Sequence, residues 1–323
     1  MKKLSIILPI YKVEAYIKEC LESIFRQGLN DEDFEVILVN DGTPDNSIGV
    51  VKDVIGEHQN IIVLNQENQG VSIARNSGLY KSQGEYVYFM DPDDLLVDNA
   101  LSVLLNRALS SNVDILMADY CKFNDGENYG QMIRLQQEYS ETLKSAEQAF
   151  LEDLSPYECY IWLMLFRRSF LIDNKIDFKP FWYEDTLLCQ ESFIKAKTFL
   201  RAHYVLYVYR MRAGSFTSSM NLKKMLDLNS CLSALNELKR NGNMHPQVRE
   251  KLSDNIFASF SYGLWCIVHS DELYAQRNII VSDLNNKIKP SLFIFTGSIK
   301  QLAVSYLFRY IPDLYLKIRR SFF

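Results

Sequence analysis

Apolar positions along the first part of the chain switch between a continuous and a helical spacing. Leu4 to Leu8 reads as a buried strand ending at Pro9. Tyr16, Ile17, Cys20, Leu21, Ile24 and Phe25 then mark one face of a helix that stops near Gly28. Phe34 to Val39 predicts a second strand, closed by Asn40-Asp41-Gly42-Thr43-Pro44, and a helix follows through Val50, Val51 and Val54. Ile61 to Leu64 predicts a third strand and Val71 to Tyr80 a helix ending before Gly84. Glu85 to Met90 is the fourth strand, Leu101 to Leu109 lies in a helix, and Val113 to Ala118 is the fifth strand. Strict alternation of strand and helix, with near-continuous apolar strands, implies an α/β fold. Its sheet should be mostly parallel, with helices on both faces.

The alternation stops near residue 120. Asn124 to Asn128 is a turn, and the polar stretch to Ser140 fits neither period. Ser145 to Leu151 reads as helix, Tyr160 to Phe170 as a helix rich in large apolar residues, and Tyr204 to Met211 alternates like a strand. Leu222, Met225, Leu228, Cys231, Leu232, Leu235 and Leu238 form a helical stripe ending at Gly242. A second helix spans about Val248 to Val268 and carries Leu252, Ile256, Phe260 and Leu264. The boundary implied is near residue 220, between an α/β part (1–220) and a helical C-terminal region (221–323).

Composition narrows the class. The chain has 323 residues, 48% of them hydrophobic and 23% charged, which suits a soluble protein with a substantial core. A net charge of −5 and the absence of any RNA-binding signature give no reason to expect nucleic acid as a partner. The six cysteines are scattered without a C-x-x-C pair, so disulfide and zinc roles are not expected. The sequence enters a strand at once, without a signal-peptide pattern, and no apolar run reaches the roughly eighteen residues of a spanning helix. The expectation is a cytoplasmic protein, with any membrane contact peripheral.

Candidate chemistry centres on Asp91-Pro92-Asp93-Asp94, directly after the fourth strand. Carboxylates crowded at the end of a buried strand are costly unless a cation or donors compensate. Pro92 fixes its own φ and pushes Asp91 into an extended conformation. The cluster suits a hard divalent ion such as Mg²⁺ or Mn²⁺. A turn with an Asp helix cap is the alternative, since Asp98 and a helical segment follow. In parallel sheets ligands sit at the carboxyl ends of strands, where both Asp41 and Asp91 fall. There is no G-x-G-x-x-G after the first strand and no G-x-x-x-x-G-K-[ST], which weakens dinucleotide and P-loop readings. Tyr11 offers a face on which a pyrimidine would stack, with Asp41 accepting the ring N–H. Ordinary packing of Tyr11 is the alternative.

Four ordered segments carry a family resemblance: Ser5-Ile-Ile-Leu-Pro-Ile-Tyr11, Glu35-Val-Ile-Leu-Val-Asn-Asp-Gly42, Asn68-Gln-Gly-Val-Ser-Ile-Ala-Arg-Asn76 and Glu85-Tyr-Val-Tyr-Phe-Met-Asp-Pro-Asp-Asp94. Together they resemble family 2 glycosyltransferases of the GT-A (Rossmann-like) fold, of the bacterial surface-polysaccharide type. Phe181-Trp-Tyr-Glu-Asp185-Thr and Tyr207-Val-Tyr-Arg-Met-Arg-Ala-Gly-Ser215 are similar to later segments of that family. The resemblance implies that residues 1–220 bind a UDP-sugar and carry catalysis. Pro9, Tyr11, Glu14 and Asp41 would hold the nucleoside, with Arg75 near the base or the acidic cluster. Asp91 would face the ribose, and Asp93, with Asp94, would bind Mn²⁺ or Mg²⁺. Two positions depart from the family pattern: Pro92, where a small polar residue is commoner, and Asn40, where Asp is commoner.

Breaking a sugar–diphosphate bond requires neutralisation of the leaving diphosphate and a base for the acceptor hydroxyl. Asp185 is the candidate base, giving inversion, and Glu184 supports it. Acids at the start of a helix are also favourable without any catalytic role. Of Arg210 and Arg212, which alternate with Tyr207 and Tyr209, Arg212 with Ser215 would close over the diphosphate, Arg being suited to phosphate oxygens. A solvated strand face paired with acidic neighbours is the alternative. His203 and His245 lack metal-ligand spacing. Lys300 to Phe323 mixes Tyr306, Phe308, Tyr310, Tyr315, Phe322 and Phe323 with Lys317, Arg319 and Arg320, and Asp313 is its one acid. Such a segment lies on an anionic membrane or packs on the protein. No Gln-x-x-Arg-Trp segment is present, which favours single additions to a polysaccharide or lipid-linked saccharide acceptor. The rival readings are a nucleotidyltransferase on a similar sheet and an inactive nucleotide- or sugar-binding module.

Overall fold

The computed structural model describes residues 2–135, 137–212, 220–288, 304, 307–308 and 312–321. The chain forms two compact units. One comprises residues 1–149, 160–180 and 195–215, and the other 150–159, 181–194 and 216–323. The expected boundary at 220 thus falls close to 216, but two earlier segments join the helical unit. One of them carries Glu184 and Asp185.

In chain order the elements begin β1 (Leu4–Ile10), α1 (Ile17–Phe25), β2 (Phe34–Asp41), α2 (Lys52–Glu57), β3 (Ile61–Gln66), α3 (Val71–Lys81) and β4 (Tyr86–Phe89). Next come β5 (Leu95–Leu96), α4 (Ala100–Ser111), β6 (Ile115–Asn124), α5 (Gly130–Ile133), β7 (Ser140–Ser145) and α6 (Ala146–Glu152). Then follow β8 (Met164–Arg167), α7 (Arg168–Asp173), α8 (Glu184–Lys195) and β9 (Thr198–Met211). The strand order is β3-β2-β1-β4-β8-β6-β9-β5, with β7 added to β9.

The α/β expectation holds, but parallel pairing is only part of the sheet. β3, β2, β1 and β4 run parallel. β8 then enters antiparallel between β4 and β6, and β5 and β7 lie antiparallel to β9, so the sheet is mixed. The expected helix from Tyr160 to Phe170 is instead a 3₁₀ turn (Ile161–Leu163), strand β8 and the short helix α7. Met164, Leu165 and Phe166 are fully buried between two strands, and a short run buried on every side has no period to separate strand from helix.

β1, β2 and β4 are apolar because both faces are covered, whereas β3 at the sheet edge is only half-buried. Leu4, Ile6, Ile7, Leu8 and Ile10 of β1 are all 0% exposed, and burying each such side chain contributes about 1.5–3 kcal/mol. α3 lies close on β1, since a Cβ on Gly78 would stand 2.4 Å from Ile7 Cγ2. Pro9 is tolerated inside β1 because β4 ends level with Ile7, leaving no partner on that side for the missing N–H. This stagger brings Tyr11, Asp41 and Asp91 to the same end of the sheet.

The second unit continues with α9 (Leu222–Asn241), α10 (Pro246–His269), α11 (Asp271–Ala275), α12 (Arg277–Lys287) and α13 (Pro312–Ser321). The expected stripe of α9 is buried through Met225, Leu228, Cys231, Leu232 and Leu235. Asn221 caps α9 by accepting from Lys224 N at 3.0 Å. On α13, Tyr315 and Leu316 are buried while Leu314 and Ile318 are about half exposed. Arg277 pairs with Asp313 at 2.8 Å, and Arg320 with Asp271, fixing α13 within the helical unit. Tyr306, Tyr310, Phe322 and Phe323 of the basic-aromatic segment lie outside the described residues.

Candidate active site

The loop after β4 separates its three carboxylates. Asp91 Oδ1 accepts from Arg75 Nη2 at 2.8 Å, and Arg75, one turn into α3, is buried against the Phe178 ring at 5.3 Å. Asp94 is 2% exposed and accepts from the Tyr207 hydroxyl at 2.8 Å and Arg210 N at 2.7 Å. It anchors the loop to β9. Its carboxyl is pushed well above the ordinary range, first by burial and then by the charges of Asp93 and Asp91. Asp98 does not cap α4, whose first residue follows Asn99 in a left-handed conformation (φ 61), and pairs instead with Arg26.

Asp93 stays partly open, its side chain 22% exposed, with Oδ2 at 2.5 Å from Arg212 Nη2. Burial, then the charge of Asp91, raises its carboxyl, and Arg212 draws it back only in part. Asp93 thus keeps a partly open carboxylate next to that of Asp91, and a divalent cation there would offset the cost of holding the two charges together. Among the described residues no three His, Cys, Asp or Glu side chains form a ready-made cage. An ion held by one or two carboxylates, with phosphates and water completing its shell, suits such a site.

The loops at the ends of β1 and β2 are clipped together. Lys12 N donates to Thr43 Oγ1 (2.8 Å), Val13 N to Ser47 Oγ (3.0 Å) and Glu14 N to Asp45 Oδ2 (3.1 Å). Glu14 Oε2 accepts from Asn46 N at 3.0 Å in return, so it braces one loop on the other. Asp45 holds this clip. Burial works against its charge, but hydrogen bonds from Ser47 and Thr43 and from the Glu14 and Ser47 backbone outweigh it and keep the carboxyl below its usual value. Tyr11 remains 40% exposed, with Lys12 Nζ 5.3 Å from its ring centroid.

Asp41 is 2% exposed and accepts from Gln66 Nε2 (2.7 Å), Gln69 N (2.9 Å) and Gly70 N (2.9 Å). These fill about three of the four lone-pair sites of a carboxylate and leave one for a ligand. Gly70 begins α3 at φ 90, a conformation glycine adopts freely. Asn76, further along α3, exchanges hydrogen bonds with the Phe178 backbone at 2.8 and 2.9 Å.

Glu184 and Asp185 open α8 in the helical unit, both partly buried. Tyr183, just before them, is held at φ 76, a costly conformation for a bulky residue. α9 supports that turn: Asp227 Oδ2 accepts from Trp182 N at 3.2 Å, and Cys231 Sγ contacts Tyr183 O at 3.7 Å. Ser215 lies outside the described residues. Glu19, Asp125 and Asp227 carry no mark in the sequence, because their partners lie tens of residues away. Asp45 has local partners in Thr43 and Ser47, but its bond to Glu14 N across the two loops is long-range. Asn76 and Tyr207 stood inside quoted motifs without a role.

Within the first unit the structure brings Asp91, Asp93, Asp94, Arg75 and Arg212 into one cluster, with Arg210 buried beside it. The profile of glycosyl transferase family 2 matches residues 5–173. The uncharacterized glycosyltransferase EpsJ of Bacillus subtilis (strain 168) is 33% identical over 226 residues, covering 66% of this chain and 62% of EpsJ. The poly(ribitol-phosphate) beta-N-acetylglucosaminyltransferase TarP of Staphylococcus aureus (strain N315) is 29% identical over 228 residues, covering 69% and 66%. The match thus spans somewhat under two thirds of EpsJ. Among solved structures, S. aureus TarS 1-349 in complex with UDP-GlcNAc superposes with a TM-score of 0.79 at 21% identity, covering 99% of this chain and 91% of that one. That likeness bears out the GT-A fold expected from the sequence. By the span of the profile match and the ordered motifs within it, this chain belongs to glycosyltransferase family 2.

Proposed function

We propose that this chain is an inverting, metal-dependent glycosyltransferase. In this reading it moves one hexosyl or N-acetylhexosaminyl group from a UDP-sugar to a hydroxyl of a polysaccharide or lipid-linked oligosaccharide precursor. The observation that carries the reading is the Asp93–Arg212 pair, a partly open carboxylate with a guanidinium beside it. One group would hold a cation and the other suits phosphate oxygens of the donor. The TarS complex with UDP-GlcNAc supports a UDP-sugar as donor class. A relative in fold, the Pyrobaculum calidifontis mannosyltransferase PcManGT solved with GDP-Man and Mn²⁺, supports a cation (TM-score 0.56).

The uracil would stack on Tyr11 beside Pro9, with its ring N–H directed to the remaining lone pair of Asp41. Glu14 would keep the Tyr11 loop in place. Asp91, fixed by Arg75, would accept from the ribose. Asp93 would hold Mn²⁺ or Mg²⁺, which when bound neutralises charge on the departing diphosphate. Arg212 would turn from Asp93 to the phosphate oxygens, with Ser215 beside it. Asp185 would take the proton of the acceptor hydroxyl as its oxygen bonds to the anomeric carbon. The bond from that carbon to the diphosphate oxygen breaks, and its electron pair leaves with UDP. The single displacement inverts the anomeric centre, and Glu184 supports the base.

This reading places the enzyme in the cytoplasm, peripheral on the inner face of the membrane where a lipid-linked acceptor would lie. No helix among the described residues is long and apolar enough to cross a membrane. Leu314 and Ile318, exposed on the basic helix α13, support a surface contact. Titration calorimetry with UDP, GDP, UDP-glucose, UDP-galactose and UDP-GlcNAc tests the donor class. Binding of UDP and one UDP-sugar, strengthened by Mn²⁺, is expected. Preference for GDP, or no nucleotide binding, would overturn it.

A further inference from the structure

We infer that Arg210 is the positioning residue for Asp93. It fixes the backbone of the cation-holding loop without neutralising the carboxylate that the cation needs. The inference rests on the reading of Asp93 given above. Arg210 lies on β9 with its side chain 5% exposed, and its donors have separate acceptors. Nε donates to the Asp93 carbonyl at 2.9 Å, Nη1 to Asp125 Oδ1 at 3.0 Å and Nη2 to Glu19 Oε2 at 2.7 Å. Its backbone N–H donates to Asp94 Oδ1 at 2.7 Å. One residue thus holds the main chain of Asp93 and the side chain of Asp94.

The arrangement separates the roles of two neighbouring arginines. Arg212 meets the Asp93 carboxylate, whereas Arg210 meets only its carbonyl. The charge of Arg210 is directed elsewhere, to Glu19 on α1 and Asp125 in the turn after β6. Three rings enclose the guanidinium, Phe123 at 4.8 Å, Tyr16 at 5.1 Å and Tyr129 at 5.8 Å, and they restrict it to this orientation. The chemistry requires arginine. A planar fork of five donors reaches a carbonyl and two carboxylates at once, whereas a lysine ammonium is a point donor on a flexible stem. Residues that orient a cation's ligand typically change affinity or activity about 10- to 100-fold when lost.

The test measures Mn²⁺ binding in the presence of UDP, from the free-Mn²⁺ electron paramagnetic resonance signal, alongside UDP binding without Mn²⁺. Wild type, Arg210→Gln, Arg210→Lys and the double variant Glu19→Gln/Asp125→Asn are compared, with Asp93→Asn as reference. Arg210→Gln is expected to weaken Mn²⁺ binding about 10- to 100-fold while UDP binding without Mn²⁺ is kept. Arg210→Lys should recover only part of the loss. Glu19 and Asp125 are 43% and 37% exposed. The double variant is therefore expected to fold even if Arg210→Gln does not, and should weaken Mn²⁺ binding in the same direction by less. Wild-type Mn²⁺ affinity in the foldable variants would overturn the inference, as would equal losses of Mn²⁺ and Mn²⁺-free UDP binding. Failure of wild type itself to bind Mn²⁺ with UDP would instead defeat the donor reading on which the inference rests.

Discussion

Arg212 Nη2 lies 2.5 Å from Asp93 Oδ2, and the same guanidinium stands 4.9 Å from the ring of Tyr16. The two partners are 26% and 22% exposed, open enough to exchange this contact for a ligand. Both charges suit the ends of a cation–diphosphate group, so the pair is read as a resting arrangement of the donor site.

Removing the arginine should have opposite effects on its two targets. Arg212→Ala is expected to lower kcat/KM for the UDP-sugar about 100-fold, as loss of a donor to developing charge does. Binding of Mn²⁺ alone should become tighter, because Asp93 loses its competing partner. Unchanged steady-state kinetics would remove Arg212 from the donor site.

We read Asp94 as the structural member of the acidic loop rather than the second cation ligand that the resemblance implies. Tyr207→Phe deletes the hydroxyl that donates to Asp94 at 2.8 Å and leaves a buried acceptor short of a partner. A stability loss of about 1–3 kcal/mol is expected from urea unfolding. Asp94→Asn should leave the Mn²⁺ concentration for half-maximal activity unchanged. A large increase would make Asp94 a cation ligand.

The Asp45 clip predicts a pH dependence. Against burial, hydrogen bonds from Ser47 and Thr43 hold its carboxyl below the usual aspartate value in the folded protein. A depressed carboxylate contributes stability above its unfolded value and loses it as pH falls through the folded value. The stability gap between wild type and Asp45→Asn should therefore be constant from about pH 7 to pH 5 and close below that range. A gap that widened on acidification would contradict the assignment. Because the clip holds the Tyr11 loop, the variant should also show a raised donor KM.

Asp185→Asn is expected to bind the UDP-sugar like wild type while kcat falls about 10²- to 10⁴-fold, the range for loss of a general base. Glu184→Gln should cost less. Stopped-turnover assays with calorimetry on the same samples separate binding from transfer. Full activity of Asp185→Asn would move the base elsewhere.

Much of the first unit was legible because β1, β2 and β4 are buried on both faces, β3 is an unbroken apolar run at its start, and the helices are buried on one face. The spacing therefore carries β1 to β4 and the site loops at their ends. β7 was not legible, since Ser140 to Ser145 is a largely exposed polar strand held by pairing with β9 rather than by burial. β8 failed for the opposite reason, its Met164 to Phe166 being an unbroken apolar, fully buried run. The carboxylates of the acidic loop were recognisable as a cluster, but their division of labour depends on residues more than a hundred positions away. Tyr207 and Arg210 claim Asp94, and only the folded sheet brings them there. Glu184 and Asp185 were visible as a helix start. The support of that turn by Asp227 was not.

The central claim, a cation held by Asp93 for a UDP leaving group, is tested most directly by UDP release across a Mn²⁺ titration. Wild type and Asp93→Asn are assayed with the preferred UDP-sugar and an acceptor glycan. The account predicts Mn²⁺-dependent release in wild type, abolished by chelation, and none above background in Asp93→Asn. Equal release by both proteins, or release indifferent to chelation, would contradict it.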